Sequence, residues 1–73
     1  MRIELISRAG CGLCEEARGT LAALGLTFQE RDVDREFDLY TRYTDRVPVL
    51  LLDGAVAGEG RLRAADVARA VGR

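Results

Sequence analysis

Hydrophobic positions along the chain follow two spacings, one typical of strands and one typical of helices. The apolar run within residues 3–7 predicts a short, largely buried strand that ends at Ser7. After a loop at 8–10, apolar positions three or four residues apart predict a helix from about residue 11 to residue 24. Its apolar stripe consists of Cys14, Ala17, Leu21 and Leu24. Gly25 follows the last of these positions and is expected to end the helix.

The next part of the chain predicts a second strand and a short second helix. Leu26, Phe28 and, further on, Val33 mark a strand over about 26–32. A strand, a helix and a second strand in succession are typical of a right-handed βαβ unit. This strand should therefore lie parallel to the first. Asp34 is placed to cap the second helix. The residues of this helix expected to face the core are Phe37, Tyr40 and Tyr43.

The C-terminal third predicts a hairpin and a last helix. Val49–Leu52 is the clearest strand, and Asp53-Gly54 favours a tight turn after which residues 55–57 return antiparallel. Gly58-Glu59-Gly60 should interrupt the regular secondary structure after this strand. A helix is predicted over about 61–71, with Ala64, Val67, Ala68 and Val71 on its apolar stripe. The order βαβαββα predicts an α/β fold, and 73 residues allow a single domain, 1–73, with one core region.

Composition and charge exclude several functional classes. The net charge of −1 gives no electrostatic reason to expect nucleic acid or an anionic membrane as a partner. The longest apolar run, Val49–Leu52, is too short to cross a bilayer, and the N-terminal residues do not form a secretory signal. We therefore expect a cytoplasmic protein. The chain has no histidine, which excludes Cys/His zinc sites and histidine-based acid–base catalysis.

The two cysteines lie together, in Cys11-Gly12-Leu13-Cys14, between the first predicted strand and the first predicted helix. A thiol in the first turn of a helix faces unpaired backbone N–H groups and the positive end of the helix dipole. Both favour the thiolate, which is the form that attacks disulfides, so we expect the pKa of Cys11 to be depressed. A redox pair is the favoured interpretation in a cytosolic chain, while half of a metal site or an inert core pair stays open.

Pro48, the only proline, directly precedes the third predicted strand. A proline is tolerated as the first residue of a strand, where no ladder donor is missing. The functional alternative is a cis peptide bond after Val47. Because only about 5–6% of such bonds are cis, the sequence alone does not justify it.

Together, the C-x-x-C after the first strand, the βαβαββα order and Val47-Pro48 before the third strand resemble the thioredoxin fold, and within it the small glutaredoxin-like proteins. The resemblance covers essentially the whole chain. It implies a four-stranded mixed sheet with three helices, Cys11 as the attacking thiol and Cys14 as the resolving thiol. It also implies that Val47 presents its backbone to a thiol substrate beside a cis Pro48.

The same resemblance assigns two further residues to substrate binding. Arg8 occupies the position of a basic residue that glutaredoxins use near a glutathione carboxylate, although a solvated loop arginine is an equally good interpretation. A cation there would in either case favour the Cys11 thiolate. Gly58 begins the segment that corresponds to the glycine pair of the glutathione site.

The chain departs from the glutaredoxin pattern in three places. Gly12-Leu13 replaces the usual Pro-Tyr between the cysteines, and the segment 58–62 lacks the paired aspartates that hold glutathione. Glu59 instead brings a negative charge to that segment, which Arg61 is expected to compensate. The chain also lacks tryptophan, which the redoxins that serve ribonucleotide reductase carry in this region. The resemblance therefore implies the fold and the dithiol chemistry for this chain, but it does not identify the reductant.

These observations predict a monomeric thiol–disulfide oxidoreductase that acts on protein or low-molecular-weight disulfides. It should hold no bound cofactor and take electrons from glutathione, from another small thiol or from a reductase. One alternative is a metal-binding carrier resembling the heavy-metal-associated domains. Those domains, however, have the order βαββαβ and carry methionine where this chain has Ala9. The other alternative is a non-catalytic interaction module on the thioredoxin fold.

Overall fold

The computed structural model describes residues 1–73 and contains four strands and three helices. The elements are β1 (Ile3–Ser7), α1 (Gly12–Ala23), β2 (Gln29–Asp32), α2 (Phe37–Tyr43), β3 (Val49–Leu52), β4 (Ala55–Glu59) and α3 (Ala64–Ala70). The predicted order βαβαββα and the four-stranded mixed sheet are therefore confirmed. None of the three helices is long and apolar enough to span a bilayer.

The strands lie in the order β2-β1-β3-β4. β1 and β2 are parallel, whereas β1 with β3 and β3 with β4 are antiparallel. In the β1–β3 register Ile6 lies opposite Val49. The loop that leaves β1 and the segment that enters β3 therefore meet at the same edge of the sheet. This edge carries both cysteines, which follow β1, and Val47-Pro48, which precedes β3.

The sheet divides the apolar interior of the domain into two cores, one on each face, where the sequence predicted one core region. Leu5 contributes to the core beneath α1 and α3, while its neighbour Ile6 contributes to the core beneath α2. The first core consists of Ile3, Leu5, Ala17, Leu21, Leu50 and Val67. The second consists of Ile6, Val33, Leu39, Tyr43, Val49 and Leu51. The helical stripe predicted for α1 is confirmed, and Gly25, with φ 71°, follows the end of the helix as expected.

The prediction that Phe37 and Tyr40 face the core was wrong. The exposed fraction of Phe37 is 80% and that of Tyr40 is 47%, whereas Leu39 and Tyr43 are buried. Residues four apart lie on the same side of a helix, so burial of Leu39 and Tyr43 turns Phe37 and Tyr40 toward solvent. Only the prediction for Tyr43 is confirmed.

The prediction that Asp34 caps α2 was also wrong. The residue at the N-terminal cap is Glu36, whose side chain makes no capping hydrogen bond. Asp34 lies earlier, in the turn between β2 and α2, and its carboxylate accepts hydrogen bonds from Arg8. This contact joins two segments that are 26 residues apart in the sequence.

Three predicted boundaries also differ from the structure. β2 begins only at Gln29, and the half-buried Leu26 and Phe28 pack on the first core without joining the sheet. β4 does not end before Gly58 but continues through Glu59, with a register irregularity opposite Leu50 and Leu51. The last helix covers Ala64–Ala70 rather than 61–71.

Candidate thiol–disulfide site

Cys11 and Cys14 form a disulfide at the start of α1, with a Cα–Cα distance of 5.2 Å. Cys11 is the N-terminal cap of the helix, and its Sγ accepts a hydrogen bond from the backbone N–H of Cys14 at 3.2 Å. This N–H is one of those left without a partner at a helix start. The placement of the pair at the strand-to-helix junction, predicted from the sequence, is confirmed.

The two sulfur-bearing side chains differ in burial. Cys14 is fully buried, on the apolar stripe of α1 with Ala17 and Leu21, while Cys11 is only half-buried. Opening of the disulfide would thus leave one thiol accessible to a large substrate and one thiol behind it. Cys11 is therefore the more accessible of the two cysteines from solvent, and the buried Cys14 Sγ is bonded to Cys11 Sγ.

The Val47–Pro48 peptide bond is cis, as the resemblance implied. Pro48 is buried, and its carbonyl oxygen accepts a hydrogen bond from the N–H of Gly60 at 2.9 Å. Val47 is half-buried and lies outside the helices and strands. Neither its N–H nor its carbonyl takes part in a backbone hydrogen bond. The backbone of Val47 is therefore available for pairing with another chain.

The guanidinium of Arg8 is held by the protein itself. Its Nε and Nη2 donate to the two carboxylate oxygens of Asp34 at 2.9 and 2.8 Å. Its Nη1 and Nη2 donate to the carbonyl and hydroxyl oxygens of Thr44 at 2.8 and 2.7 Å. The hydrogen bonds with Asp34 raise the pKa of Arg8 and lower the pKa of Asp34. Arg8 is accordingly not the solvated loop arginine that the sequence left open, and its role toward glutathione stays a prediction.

The negative charge of Glu59 is compensated, but not by the residue that the sequence suggested. Arg46, which directly precedes Val47, donates from Nε to Glu59 Oε2 at 3.0 Å and from Nη2 to the same oxygen. These hydrogen bonds lower the pKa of Glu59 and raise that of Arg46. Arg61, the expected partner, instead lies 3.8 Å from Glu16, with both side chains largely exposed.

Gly58 lies within β4, opposite Leu50, whereas the sequence predicted that the strand ends before it. A Cβ at this position would approach Leu62 Cδ2 at 3.0 Å, so the glycine allows close packing of the segment before α3. A cleft of about 250 Å³ opens beside it, between the end of β4 and α3. Whether Gly58 contacts a substrate stays a prediction.

Three residues were not assigned to the site from the sequence: Asp34, which was predicted only as a helix cap, Thr44 and Arg46. Asp34 and Thr44 accept hydrogen bonds from Arg8, and Arg46 donates to Glu59. The sequence had singled out Arg8 and Glu59 but not these partners. No local pattern identifies them, because their partners lie 26, 36 and 13 residues away. The only sequence signal was that every basic residue of the chain is an arginine, the side chain best suited to bidentate pairing with a carboxylate.

A four-stranded mixed sheet with a C-x-x-C disulfide at the start of α1 and a cis proline at the start of β3 defines a thioredoxin-like protein. Residues 2–72 match the family Glutaredoxin-like domain (DUF836), and the chain belongs to that family. An uncharacterized protein of Mycobacterium tuberculosis and one of Mycobacterium bovis are each 38% identical to it over 82 aligned positions. Each alignment covers 93% of this chain and 84% of the relative.

Solved structures share this fold. A structural genomics target protein from X. campestris superposes with a TM-score of 0.83 at 28% identity, covering 96% of this chain and 95% of that one. The thioredoxin-like protein BC3987 superposes with a TM-score of 0.76 at 19% identity, covering 94% of this chain and 99% of that one. The second likeness supports the fold alone.

Proposed function

We propose that this protein is a dithiol–disulfide oxidoreductase in which Cys11 attacks the substrate and Cys14 resolves the intermediate. The observation that carries the proposal is the contrast between the two cysteines of one disulfide. Cys11 is partly accessible at the N-terminal cap of α1, and Cys14 is fully buried one turn later. Membership of a glutaredoxin-like family supports the same chemistry.

The reaction has two exchange steps. The Cys11 thiolate attacks one sulfur of a substrate disulfide, forms a mixed disulfide and releases the other sulfur as a thiolate, which takes up a proton. Cys14 then loses its proton and attacks Cys11 Sγ, which releases the second substrate thiol and forms the Cys11–Cys14 disulfide. The substrate gains two electrons from the protein dithiol; of the two protons that it takes up, one is lost by Cys14 and one comes from solvent.

Three features of the site assist these steps. The N–H of Cys14, which donates to Cys11 Sγ in the disulfide, stabilises the same sulfur as a thiolate after reduction. Val47 offers an unpaired backbone N–H and carbonyl to an extended substrate segment. Pro48, buried and bonded to Gly60, fixes the position from which Val47 is presented.

We further propose that the substrate is a disulfide-bearing protein or a small thiol without a carboxylate anchor. The two arginines next to the site, Arg8 and Arg46, are already paired with Asp34 and Glu59. Glutathione, which has two carboxylates, would have to displace an internal carboxylate from one of these arginines. A non-carboxylate thiol or a reductase is accordingly the proposed source of electrons. The reaction is assigned to a monomer in the cytoplasm, where a reducing environment keeps such a pair cycling.

The structure does not favour the two alternatives, a metal-binding carrier and a non-catalytic interaction module. The observed order βαβαββα is not the βαββαβ order of the heavy-metal-associated domains, so that alternative loses its fold argument. A non-catalytic interaction module would need no accessible cysteine at a helix start.

The test is reduction of insulin and of a synthetic peptide disulfide by the dithiol form of the protein, with wild type and Cys11→Ser compared. Turnover by wild type and none by Cys11→Ser supports the proposal. Equal rates for the two proteins, or no exchange by wild type with either substrate, would overturn it.

A further inference from the structure

Arg8 joins three segments of the thiol site through one guanidinium group. It lies in the loop after β1, three residues before Cys11. Its partner Asp34 lies in the turn before α2, and its partner Thr44 is the C-terminal cap of that helix. Both ends of α2 are therefore tied to the loop that carries Cys11.

Thr44 connects Arg8 to the segment that leads to Val47, the proposed substrate-presenting residue. It lies only three residues before Val47, whose backbone makes no hydrogen bond within the protein. No element of secondary structure lies between Thr44 and Val47. The contacts of Arg8 with Thr44 are thus a direct connection between the loop of Cys11 and the segment that leads to Val47.

The hydrogen bonds of Arg8 leave it poorly suited to bind an anion. A guanidinium has five N–H donors in a fixed arrangement, and four hydrogen bonds to Asp34 and Thr44 are already formed. A bidentate contact with a substrate carboxylate would require the loss of an internal one. Asp34 also compensates the charge of Arg8, which limits its effect on the Cys11 sulfur.

We propose that Arg8 is a positioning residue, which sets the Cys11 loop and the Val47 segment relative to each other, and is not a ligand for a substrate anion. This inference rests on the proposed exchange reaction. It makes Asp34 and Thr44 members of the same arrangement. A large disulfide substrate, which touches both Cys11 and Val47, depends on the arrangement. A small reagent that needs only the Cys11 thiolate does not.

The test compares Thr44→Val with Thr41→Val. The first substitution removes the hydroxyl that accepts from Arg8 without changing charge or shape. The second makes the same chemical change on the same helix, where the Thr41 hydroxyl donates only to the carbonyl of Asp38. For reduction of a peptide disulfide we expect Thr44→Val to raise KM about threefold or more, as for loss of one charge-assisted hydrogen bond. Thr41→Val should leave KM unchanged, and Thr44→Ser should restore it.

Asp34→Asn distinguishes a positioning role of Arg8 from an effect of its charge, because the two roles predict opposite changes in the exchange rate. If Arg8 acted as a free cation, loss of the Asp34 carboxylate would strengthen its field at Cys11 and speed the exchange. If Arg8 positions the loops, Asp34→Asn slows reduction of the peptide disulfide. Alkylation of reduced Cys11 by iodoacetamide should not slow in any of these variants. Faster peptide exchange by Asp34→Asn, or an unchanged KM in Thr44→Val, would overturn the proposal.

Amide hydrogen exchange of residues 44–47 in the same proteins gives a readout that does not depend on activity. Faster exchange there in Thr44→Val, and not in Thr41→Val, is expected from loss of one of the two hydrogen bonds between Arg8 and Thr44. If wild type reduces no disulfide, the proposed function fails, and this measurement alone decides whether Arg8 holds the two segments together. Unchanged exchange in Thr44→Val would then refute the inference as well.

Discussion

Arg46 and Glu59 form an ion pair that joins the residue before Val47 to the last residue of β4. The contact is reinforced by Tyr43, whose ring centroid lies 5.3 Å from the Arg46 guanidinium carbon. Both partners lie at the surface, with side-chain exposures of 42% for Arg46 and 44% for Glu59. The pair thus places an internal carboxylate on the cation that directly precedes Val47, the residue proposed to present its backbone to the substrate.

Glutathione should bind weakly to the wild-type protein, and Glu59→Gln should improve binding by about tenfold. Like charges about 4 Å apart cost on the order of 1 kcal/mol in water and more near a protein surface. Removal of the Glu59 charge also leaves Arg46 available to the ligand. The measurement is a calorimetric titration of the oxidised protein with glutathione.

Glu36→Gln is the matched control for this experiment, because Glu36 forms a comparable pair with Arg31 away from the Val47 segment. Its affinity for glutathione should equal that of wild type. Tight binding by wild type that Glu59→Gln leaves unchanged would show that the Arg46–Glu59 pair does not govern selectivity.

Substitution of the two cysteines should give different products. Cys11→Ser should abolish exchange, because the buried Cys14 cannot reach a large substrate. Cys14→Ser should accumulate a mixed disulfide at Cys11, because the first attack survives and only resolution is lost. Mass spectrometry after acid quenching identifies the adduct. A Cys14→Ser protein that turns over the peptide disulfide at the full rate would contradict the role of Cys14.

Stability should fall in acid, and Glu30 should account for part of the fall. The hydrogen bonds from Arg18 lower the pKa of Glu30, partial burial opposes them, and the buried hydroxyl of Ser7 lowers the pKa further. A pKa lower in the folded than in the unfolded state gives stability that is present above the unfolded value, about 4.3, and is lost as the pH falls through the folded value.

Urea unfolding of wild type and Glu30→Gln at pH 7 and pH 3 measures this contribution. The free energy of unfolding of the variant should be lower at pH 7, and the difference from wild type should shrink at pH 3. Asp38→Asn, which changes an exposed carboxylate that takes part in no salt bridge, serves as the control. A difference that stays constant with pH would mean that ionisation of Glu30 does not stabilise the fold.

Leu39 and Phe37 provide a test of how α2 packs. Leu39→Ala should lower the free energy of unfolding by about 2–5 kcal/mol, the usual cost of a large-to-small change in a core. Phe37→Ala should change it by no more than about 0.5 kcal/mol, because its side chain is 80% exposed. Thermal or urea unfolding of both variants decides the matter. A larger loss from Phe37→Ala than from Leu39→Ala would reverse the orientation described for this helix.

Sequence patterns were informative where a residue's role depends on its neighbours in the chain. α1 has 12 residues, more than three turns, so its buried face at Cys14, Ala17 and Leu21 could be predicted from spacing. The Asp53-Gly54 turn was predictable for a similar reason, since both residues adopt the positive φ values, 50° and 86°, that a tight hairpin needs. The position of the cysteine pair followed directly from these local elements.

The second helix shows where local patterns stop being sufficient. α2 has seven residues, two turns, and both of its possible faces carry large apolar side chains. Spacing alone therefore allowed Phe37 and Tyr40 to be assigned to the core. The choice of Leu39 and Tyr43 was made by the sheet, because Ile6, Val33, Val49 and Leu51 form the surface against which this helix packs.

The sequence by itself determined the order of the elements, the fold class and the location of the dithiol at a helix start, because hydrophobic spacing and turn residues act over short distances. Only the tertiary structure decided which carboxylates hold Arg8 and Arg46. Ion pairs of this kind join long side chains from segments that are distant in sequence. Their partners are set by where the sheet brings those segments together, and this is the physical reason that no local pattern contains them.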